Sequence, residues 1–250
     1  MQLGLHLGDC LEILPDVPDH SVDLVLCDLP YGITCNKWDT VIPLEPLWQQ
    51  YRRITKPNAA IVLTATQPFA SQLIMSNPKD FKYEWIWRKC QGTGFLNANK
   101  QPLRSHEQVL VFYQEQCTYN PQMTQGKPYT CVRGERGSTN YRDGIAPWTT
   151  ENDGQRYPTT VLDFDYDSDK QHPTQKPVPL MAYMIRTYTN EGETVLDNCM
   201  GSGTTGVACM RFQRSFIGIE SDDKYFAMAE KRITEAKERS ERLNHFFSVV

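Results

Sequence analysis

Two short stretches of this chain hold residues whose types and spacing could do chemistry. In "VLCDLPYG", residues 25–32, an apolar run stops at Asp28 and is followed by Leu29, Pro30, Tyr31 and Gly32. Pro and Gly end a strand in a turn. A carboxylate set at the strand's end, three residues before a tyrosine, would offer a hydrogen-bond acceptor and an aromatic face to whatever binds there.

The second stretch is "VLDNCMGSGTTG", residues 195–206, with glycines at 201, 203 and 206 in G-x-G-x-x-G spacing. It follows a strand pattern and opens a helical one. Glu220 ends the next apolar strand, at about the distance expected of an acid that binds ribose hydroxyls. Together these features point to a nucleoside-type cofactor. Asp197 departs from the usual dinucleotide pattern, because a carboxylate beside a pyrophosphate is repelled. Beside a cation it is attracted, and S-adenosylmethionine carries an ammonium and a sulfonium. The charge pattern therefore favours that cofactor over NAD.

Elements must hold these groups in place. Residues 1–9, "SVDLVLCD", "AAIVLTAT", "FKYEWIWRK", "EQVLVFYQE", "ETVLD" and "RSFIGIE" read as strands; several are near-continuous apolar runs of the kind found in buried parallel sheets. Helical patterns separate most of them: "PLEPLWQQYRRITKP" with its stop at Pro57, "QPFASQLIMSN", "KPVPLMAYMIRTYT" and "SDDKYFAMAEKRITEAKERSERL". The alternation predicts an α/β fold with a mostly parallel sheet. Residues 114–171 lack periodicity and read as an irregular insertion. There Arg133, Arg136, Arg142 and Arg156 stand among Tyr129, Tyr141, Trp148 and Tyr157. Arginine binds phosphate and reads guanine edges, and aromatics stack, so this mix suits nucleic acid as well as a plain charged surface. "DFDYDSD", 163–169, is acidic and reads as a solvated loop.

The totals exclude some classes. With 250 residues the chain holds one α/β domain plus an insertion, or two small domains. No apolar run reaches the roughly 20 residues of a membrane span, and the N-terminus lacks the pattern of a signal peptide, so a cytoplasmic protein is expected. The eight cysteines form no CxxC pair; free buried thiols are expected rather than disulfides or zinc ligands. A net charge of −4 does not favour nucleic acid, but phosphate contact needs a basic patch rather than a basic whole.

"DLPY" resembles the Asp-Pro-Pro-Tyr signature of DNA amino-methyltransferases, and "LDNCMGSGTT" resembles their cofactor motif. The catalytic motif comes first here and the cofactor motif near the end. That order resembles the beta class, a circular permutation of the Rossmann-like class I methyltransferase fold. "HPTQKP", 172–177, is similar to the third cofactor element of that class, and "LGDC" to the element that holds adenine. The resemblance implies residues 1–113 as the catalytic part of the core, 114–171 as a target-recognition insertion and 172–250 as the cofactor-binding part. It implies methyl transfer from S-adenosylmethionine to an exocyclic amine of a base flipped from double-stranded DNA, with no membrane association and room for a homodimer. Many relatives belong to restriction–modification systems or phages.

By resemblance, Asp28, Leu29, Pro30 and Tyr31 are catalytic. Asp28 and the Leu29 carbonyl would accept from the amine, Pro30 would fix the turn, and Tyr31 would stack on the base. Leu29 stands where the family usually has Pro, and its backbone carbonyl is retained. Asp9 and Cys10 would meet the cofactor's adenine and Glu220 its ribose. Asp197, Gly201, Ser202, Gly203, Thr204 and Thr205 would meet its methionine part, with Thr174 and Lys176 near its carboxylate and Asp28 close by. Arg133, Arg136, Arg142 and Arg156 would contact DNA. Relatives acting on cytosine N4 more often carry Ser in place of Asp28, so adenine N6 is the leading expectation. Cytosine N4, a protein glutamine or RNA substrate, an NAD-dependent oxidoreductase and a non-catalytic DNA-binding module are the alternatives.

Overall fold

A computed structural model describes residues 2–33, 39–133, 148–167 and 175–248, without the side chains of Arg133 and residues 244–248. The chain divides into a core unit, 1–120 with 160–250, and a smaller unit, 121–159.

The core is an eight-stranded sheet. Its strands are β1 (Leu3–Leu7), β2 (Val22–Cys27), β3 (Thr55–Ala65), β4 (Phe81–Thr93), β5 (Arg104–Phe112), β10 (Val161–Asp163), β11 (Thr194–Asp197) and β12 (Ser215–Glu220). They lie in the order β1-β12-β11-β2-β3-β5-β4-β10. Only the β3–β5 and β4–β5 pairs are antiparallel; the rest run parallel.

Strand β2 shows why the sheet is central. All six of its residues are buried, and side chains alternate between faces. Leu24 and Leu26 pack with helices α4 (Val178–Tyr188), α5 (Thr204–Arg211) and α6 (Asp223–Ser248). Val25 and Cys27 pack with α1 (Cys10–Ile13), α2 (Leu44–Ile54) and α3 (Phe69–Ser76) on the other face. A strand covered on both sides reads as an apolar run, and five of its six residues are apolar; the exception, Asp23, pairs with Lys56 Nζ at 2.7 Å and accepts from the Thr194 N–H at 2.9 Å. Among the described residues no helix is long and apolar enough to cross a membrane.

Three details differ from the sequence reading. Helix α2 ends at Ile54, where Thr55 N–H bonds Tyr51 O and the Thr55 hydroxyl donates to the same carbonyl at 2.7 Å. Pro57 lies beyond, inside β3, where the register with β2 is irregular. The acidic stretch from 163 is not a plain loop. Val161–Asp163 adds β10 beside β4, Asp163 pairs with Arg88 at 2.5 Å, and Phe164 and Tyr166 pack against the core. Nor is the insertion wholly irregular. The smaller unit holds two antiparallel ribbons, β6 (Thr124–Gln125) with β9 (Gln155–Arg156), and β7 (Tyr129–Arg133) with β8 (Trp148–Asn152). These strands are too short to leave a period, though Tyr, Thr, Val and Trp are strand formers.

Candidate active site

Strands β11 and β2 lie side by side and parallel. From β11 the chain crosses through α5 to β12 on one side; from β2 it crosses through α2 to β3 on the other. The crossovers diverge at the carboxyl ends of the two strands, and open α/β sheets bind ligands in the crevice this leaves. A cavity of about 830 Å³ opens there. Asp28, Leu29, Pro30 and Tyr31 line it together with Asp9, Cys10, Lys176, Asp197, Gly201, Ser202, Thr204, Thr205 and Glu220. The fold thus gathers residues from both ends of the chain. Thr174 lies outside the described residues, and Gly203 stands off the cavity wall.

The glycines divide by role. Gly203 has φ +77°, and a Cβ there would come within 2.9 Å of the Ala229 Cβ on α6. Gly206 would drive a Cβ to 2.5 Å from Ile233 Cδ1. Both let α5 pack closely. Gly201, with φ +51°, would point a Cβ into open space, and it is the glycine of the three on the cavity wall. Its N–H donates to Glu220 Oε2 at 2.8 Å, while the N–H groups of Ser221 and Asp222 donate to Glu220 Oε1 at 2.9 Å each. Glu220 therefore fixes the glycine turn as well as facing the cavity. Asp9 caps α1 by accepting from Leu11 N–H at 2.8 Å.

Asp197 is buried, and burial pushes its carboxyl up to about 6 against the opposing hydrogen bonds of Thr205 and the Cys199 N–H. Among the described residues no cationic side chain pairs with it within ion-pair distance. A buried carboxylate without a cation, on a cavity wall, fits a ligand that brings one. Glu220 and Asp9 offer further acceptors for hydroxyls and an amino group. The set of acceptors suits a nucleoside carrying a cationic amino-acid tail.

Asp28 stands just past β2 in a dense hydrogen-bond network. The Tyr31 hydroxyl donates to its Oδ1 at 2.7 Å and lies 3.0 Å from Thr64 Oγ1. The Thr64 hydroxyl also donates to Oδ1, and Lys176 Nζ donates to Oδ2 at 2.6 Å. Lys176 continues to Glu107 Oε2 at 3.3 Å, and Lys89 Nζ reaches Glu107 Oε1 at 2.5 Å. Among the described residues Glu107 Oε2 accepts no hydrogen bond, and its contact with Lys176 is an ion pair. Burial alone would push the Lys176 ammonium down, but Asp28, Tyr31 and Glu107 together hold it well above its ordinary range. Burial and the Asp28 charge raise the Tyr31 hydroxyl well above its own. The Tyr31 ring stacks on Phe69 with centroids 5.4 Å apart. Lys176 Nζ lies over the ring at 5.6 Å.

Sequence reasoning missed Thr64, Glu107 and Lys89. Thr64 follows Leu63, the register partner of Cys27, so a polar residue at that point of β3 falls beside Asp28. Glu107 is an acid at the head of the apolar run of β5. Both signals are readable only once strand order is known. Leu29 is buried in the core with α2 and α3, which accounts for an apolar residue at that place in the turn.

Among the described residues, the thiols of Cys10 and Cys27, next to the site, are not set up as nucleophiles. Burial pushes the Cys27 thiol up to about 12. Cys10 is raised by its hydrogen bond to Cys199 and by burial. Thiols held protonated are inert.

Of the four arginines expected at DNA, Arg136 and Arg142 lie outside the described residues, as does the Arg133 side chain. Within the smaller unit, Arg156 donates to Asn152 Oδ1, to Gln155 O at 3.1 Å and to Lys127 O at 2.5 Å. It lies 4.8 Å from the Tyr129 ring centroid.

The chain is similar to known proteins. A family model described as DNA methylase, of the N6/N4 type, matches residues 22–231. The DNA adenine methyltransferase YhdJ of Escherichia coli (strain K12) is 28% identical over 250 residues, covering 93% of this chain and 83% of that protein. Among solved structures, the M1.HpyAVI-SAM complex superposes with a TM-score of 0.63 at 25% identity, covering 92% of this chain and 100% of the other. The cytosine-N4-specific PvuII DNA methyltransferase shares the fold, with a TM-score of 0.65 at 16% identity over 96% of this chain and 93% of the other.

Proposed function

The chain belongs to the N6/N4 family of DNA methylases, and from that membership we propose that it methylates the exocyclic N6 amine of adenine in double-stranded DNA, using S-adenosylmethionine. The observation that carries this reading is Asp28: a carboxylate at the end of β2, in one cavity with the carboxylate of Asp197, which forms no ion pair among the described residues. Asp28 and the likeness to YhdJ, an adenine methyltransferase, support adenine over cytosine.

S-adenosylmethionine supplies a methyl group on a sulfonium, a leaving group good enough for direct displacement. The protein's residues do the rest. Asp197 meets the cationic amino-acid end, Glu220 the ribose hydroxyls, and Asp9 with Cys10 the adenine; Gly201 leaves room on the wall between them. An exocyclic amine is a poor nucleophile because its lone pair is delocalised into the ring. Hydrogen bonds from its two N–H groups to Asp28 and to the Leu29 carbonyl favour the form with an available lone pair. They strengthen as positive charge develops on nitrogen, so they act in the transition state. The base reaches this cavity only by leaving the duplex, and Tyr31 offers it an aromatic face. Lys176 is committed to Asp28 and Glu107, so its work is to hold the Asp28 carboxylate in place. The smaller unit, with Arg133, Arg136 and Arg142, reads the DNA sequence.

The test is to incubate the purified protein with tritium-labelled S-adenosylmethionine and plasmid DNA, then digest the DNA and separate its nucleosides by mass. Label in N6-methyladenosine supports the reading. Label in N4-methylcytosine would move the substrate to cytosine, and no label in DNA would overturn it.

A further inference from the structure

The β4–β5 hairpin does two things at its far end. Its stem walls the cavity: Gln91, Gly92, Thr93 and Arg104 all line it. Its tip continues past that wall. Gly94, at φ +90°, turns the chain into a short 3-10 turn, Phe95–Asn97. The first two side chains of that turn are apolar and stand in solvent, Phe95 at 79% and Leu96 at 98% exposure. Isolated surface leucines are ordinary. Two adjacent large apolar residues at the tip of a hairpin, beside the opening of the cavity, are not needed to close that turn, because Asn97 and Ala98 N–H bond back to Gly94 and Phe95 carbonyls.

Charge identifies the partner. Residues 88–106 contain no Asp or Glu but carry Arg88, Lys89, Lys100 and Arg104, in a chain of net charge −4. Arg88 and Lys89 are paired with Asp163 and Glu107. Lys100 is exposed at the tip beside the amides of Asn97, Asn99 and Gln101. An apolar point set in a basic, amide-rich surround fits a polyanion with stacked flat rings between its charged edges.

We propose that Phe95 and Leu96 form a wedge that enters the DNA duplex beside the target base. This rests on DNA being the substrate. Extruding a base leaves a gap in the stack and costs unstacking energy. Apolar side chains inserted between base steps recover contact and hold the opening. The cavity wall and the wedge are successive parts of one hairpin, so insertion of the tip places the emptied step next to the site that receives the base.

The test uses the full chain with Phe95→Ser and Leu96→Ser combined, exposed positions where a polar residue does not disturb folding. The substrate is a duplex carrying the site located by sequencing plasmid DNA methylated by the parent protein, and the same duplex with a mismatch opposite the target base. The variant should methylate the paired duplex about tenfold or more slowly, the range of one lost base-stacking contact. On the mismatched duplex, where the base is already loosened, it should approach the parent's rate. 2-Aminopurine at the target position should brighten less with the variant than with the parent, and S-adenosylmethionine affinity should be unchanged. Equal rates on the paired duplex would overturn the proposal, as would an equal loss on both duplexes. So would a parental rate with a changed sedimentation coefficient, which would make the tip a contact between copies of the chain. If the parent itself methylates no DNA, the functional reading fails and the wedge with it.

Discussion

Lys176 Nζ lies 2.6 Å from Asp28 Oδ2, across 148 residues of sequence. The lysine side chain is 7% exposed and the aspartate 26%, so the pair sits at the dry edge of the cavity. Its third member, Glu107, is shared with Lys89. The ammonium's charge-assisted hydrogen bond fixes the direction of the carboxylate that must accept from the amine.

Removing the acceptor should end the reaction. Asp28→Ala should abolish methylation while leaving S-adenosylmethionine affinity within a few-fold. Asp28→Asn should also be severely impaired, because a neutral amide is the weaker acceptor, by roughly a factor of two in hydrogen-bond strength. Single-turnover kinetics with saturating cofactor checks both. Near-normal turnover in either variant would sink the role given to Asp28.

Lys176 predicts a different signature. In Lys176→Met, Asp28 and Glu107 lose their shared cation. Breaking a buried pair costs about 3–5 kcal/mol, and the partial exposure of Asp28 moves the expectation to the lower end or below. The diagnostic readout is the split between rate and binding: kcat should fall while S-adenosylmethionine affinity stays within a few-fold, because Lys176 Nζ no longer aims Asp28 Oδ2. Lys176→Arg should restore part of the rate. An equal loss of kcat in Lys176→Arg and Lys176→Met, with both variants less stable, would mean that the lysine only fills space.

Asp197 gives a pH dependence of binding. Its folded value of about 6 lies above that of a free carboxylate, so the native state binds the extra proton between about pH 4 and 6. The sign follows by linkage: native stability falls as pH rises through that window and is flat above it. A cationic ligand needs the ionised form. S-adenosylmethionine affinity should therefore be constant above about pH 7 and weaken below 6, approaching tenfold per unit well under that value, with proton release on binding near pH 6. Asp197→Asn should remove the pH dependence, bind about 10–100-fold more weakly for the loss of a charge-assisted bond, and leave the free protein at least as stable at pH 8. Calorimetric titration in buffers of different ionisation enthalpy measures affinity and proton release together.

How much of this was legible follows from which signals are local. The apolar run of β2, the glycine turn and Asp28 with Tyr31 are each written within about ten residues, so their elements and the Rossmann-like core could be read directly. The Asp28 network could not. Thr64, Glu107 and Lys89 come from β3, β5 and β4, and they meet Asp28 only through strand order. The role of Gly203 was hidden for the same reason: the α6 side chains it packs against begin 26 residues later, at Ala229.

The glycines can be separated by experiment. Gly203→Ala sets a Cβ 2.9 Å from Ala229 at a positive φ, and should lower thermal stability by about 1–3 kcal/mol, from strain and overpacking. Gly201→Ala meets only the strain, about 1–2 kcal/mol, and its methyl group occupies the cavity. Gly201→Ala should therefore lose S-adenosylmethionine affinity out of proportion to its change in melting temperature, and Gly203→Ala the reverse. Equal losses of affinity in both would return Gly203 to the ligand.

Arg156 tests how the smaller unit is built. Its guanidinium donates to Asn152, Gln155 and Lys127 and lies over Tyr129, which ties the ends of both ribbons within the unit. A fork of planar donors makes that set; an ammonium makes at most part of it. Arg156→Lys keeps the charge and loses the fork. If Arg156 binds phosphate by charge, the lysine variant should keep DNA affinity and its salt slope, while Arg156→Ala lowers the slope by about one unit. If its work is to hold the unit together, both variants should open residues 121–159 to limited proteolysis and relax site preference alike, with S-adenosylmethionine affinity unchanged. The contacts favour the second outcome. Arg133→Ala combined with Arg136→Ala should instead weaken DNA binding and flatten its dependence on salt, with no gain in proteolysis. Methylation of a library of DNA sites by each variant, at two salt concentrations, distinguishes a reading arginine from a bracing one.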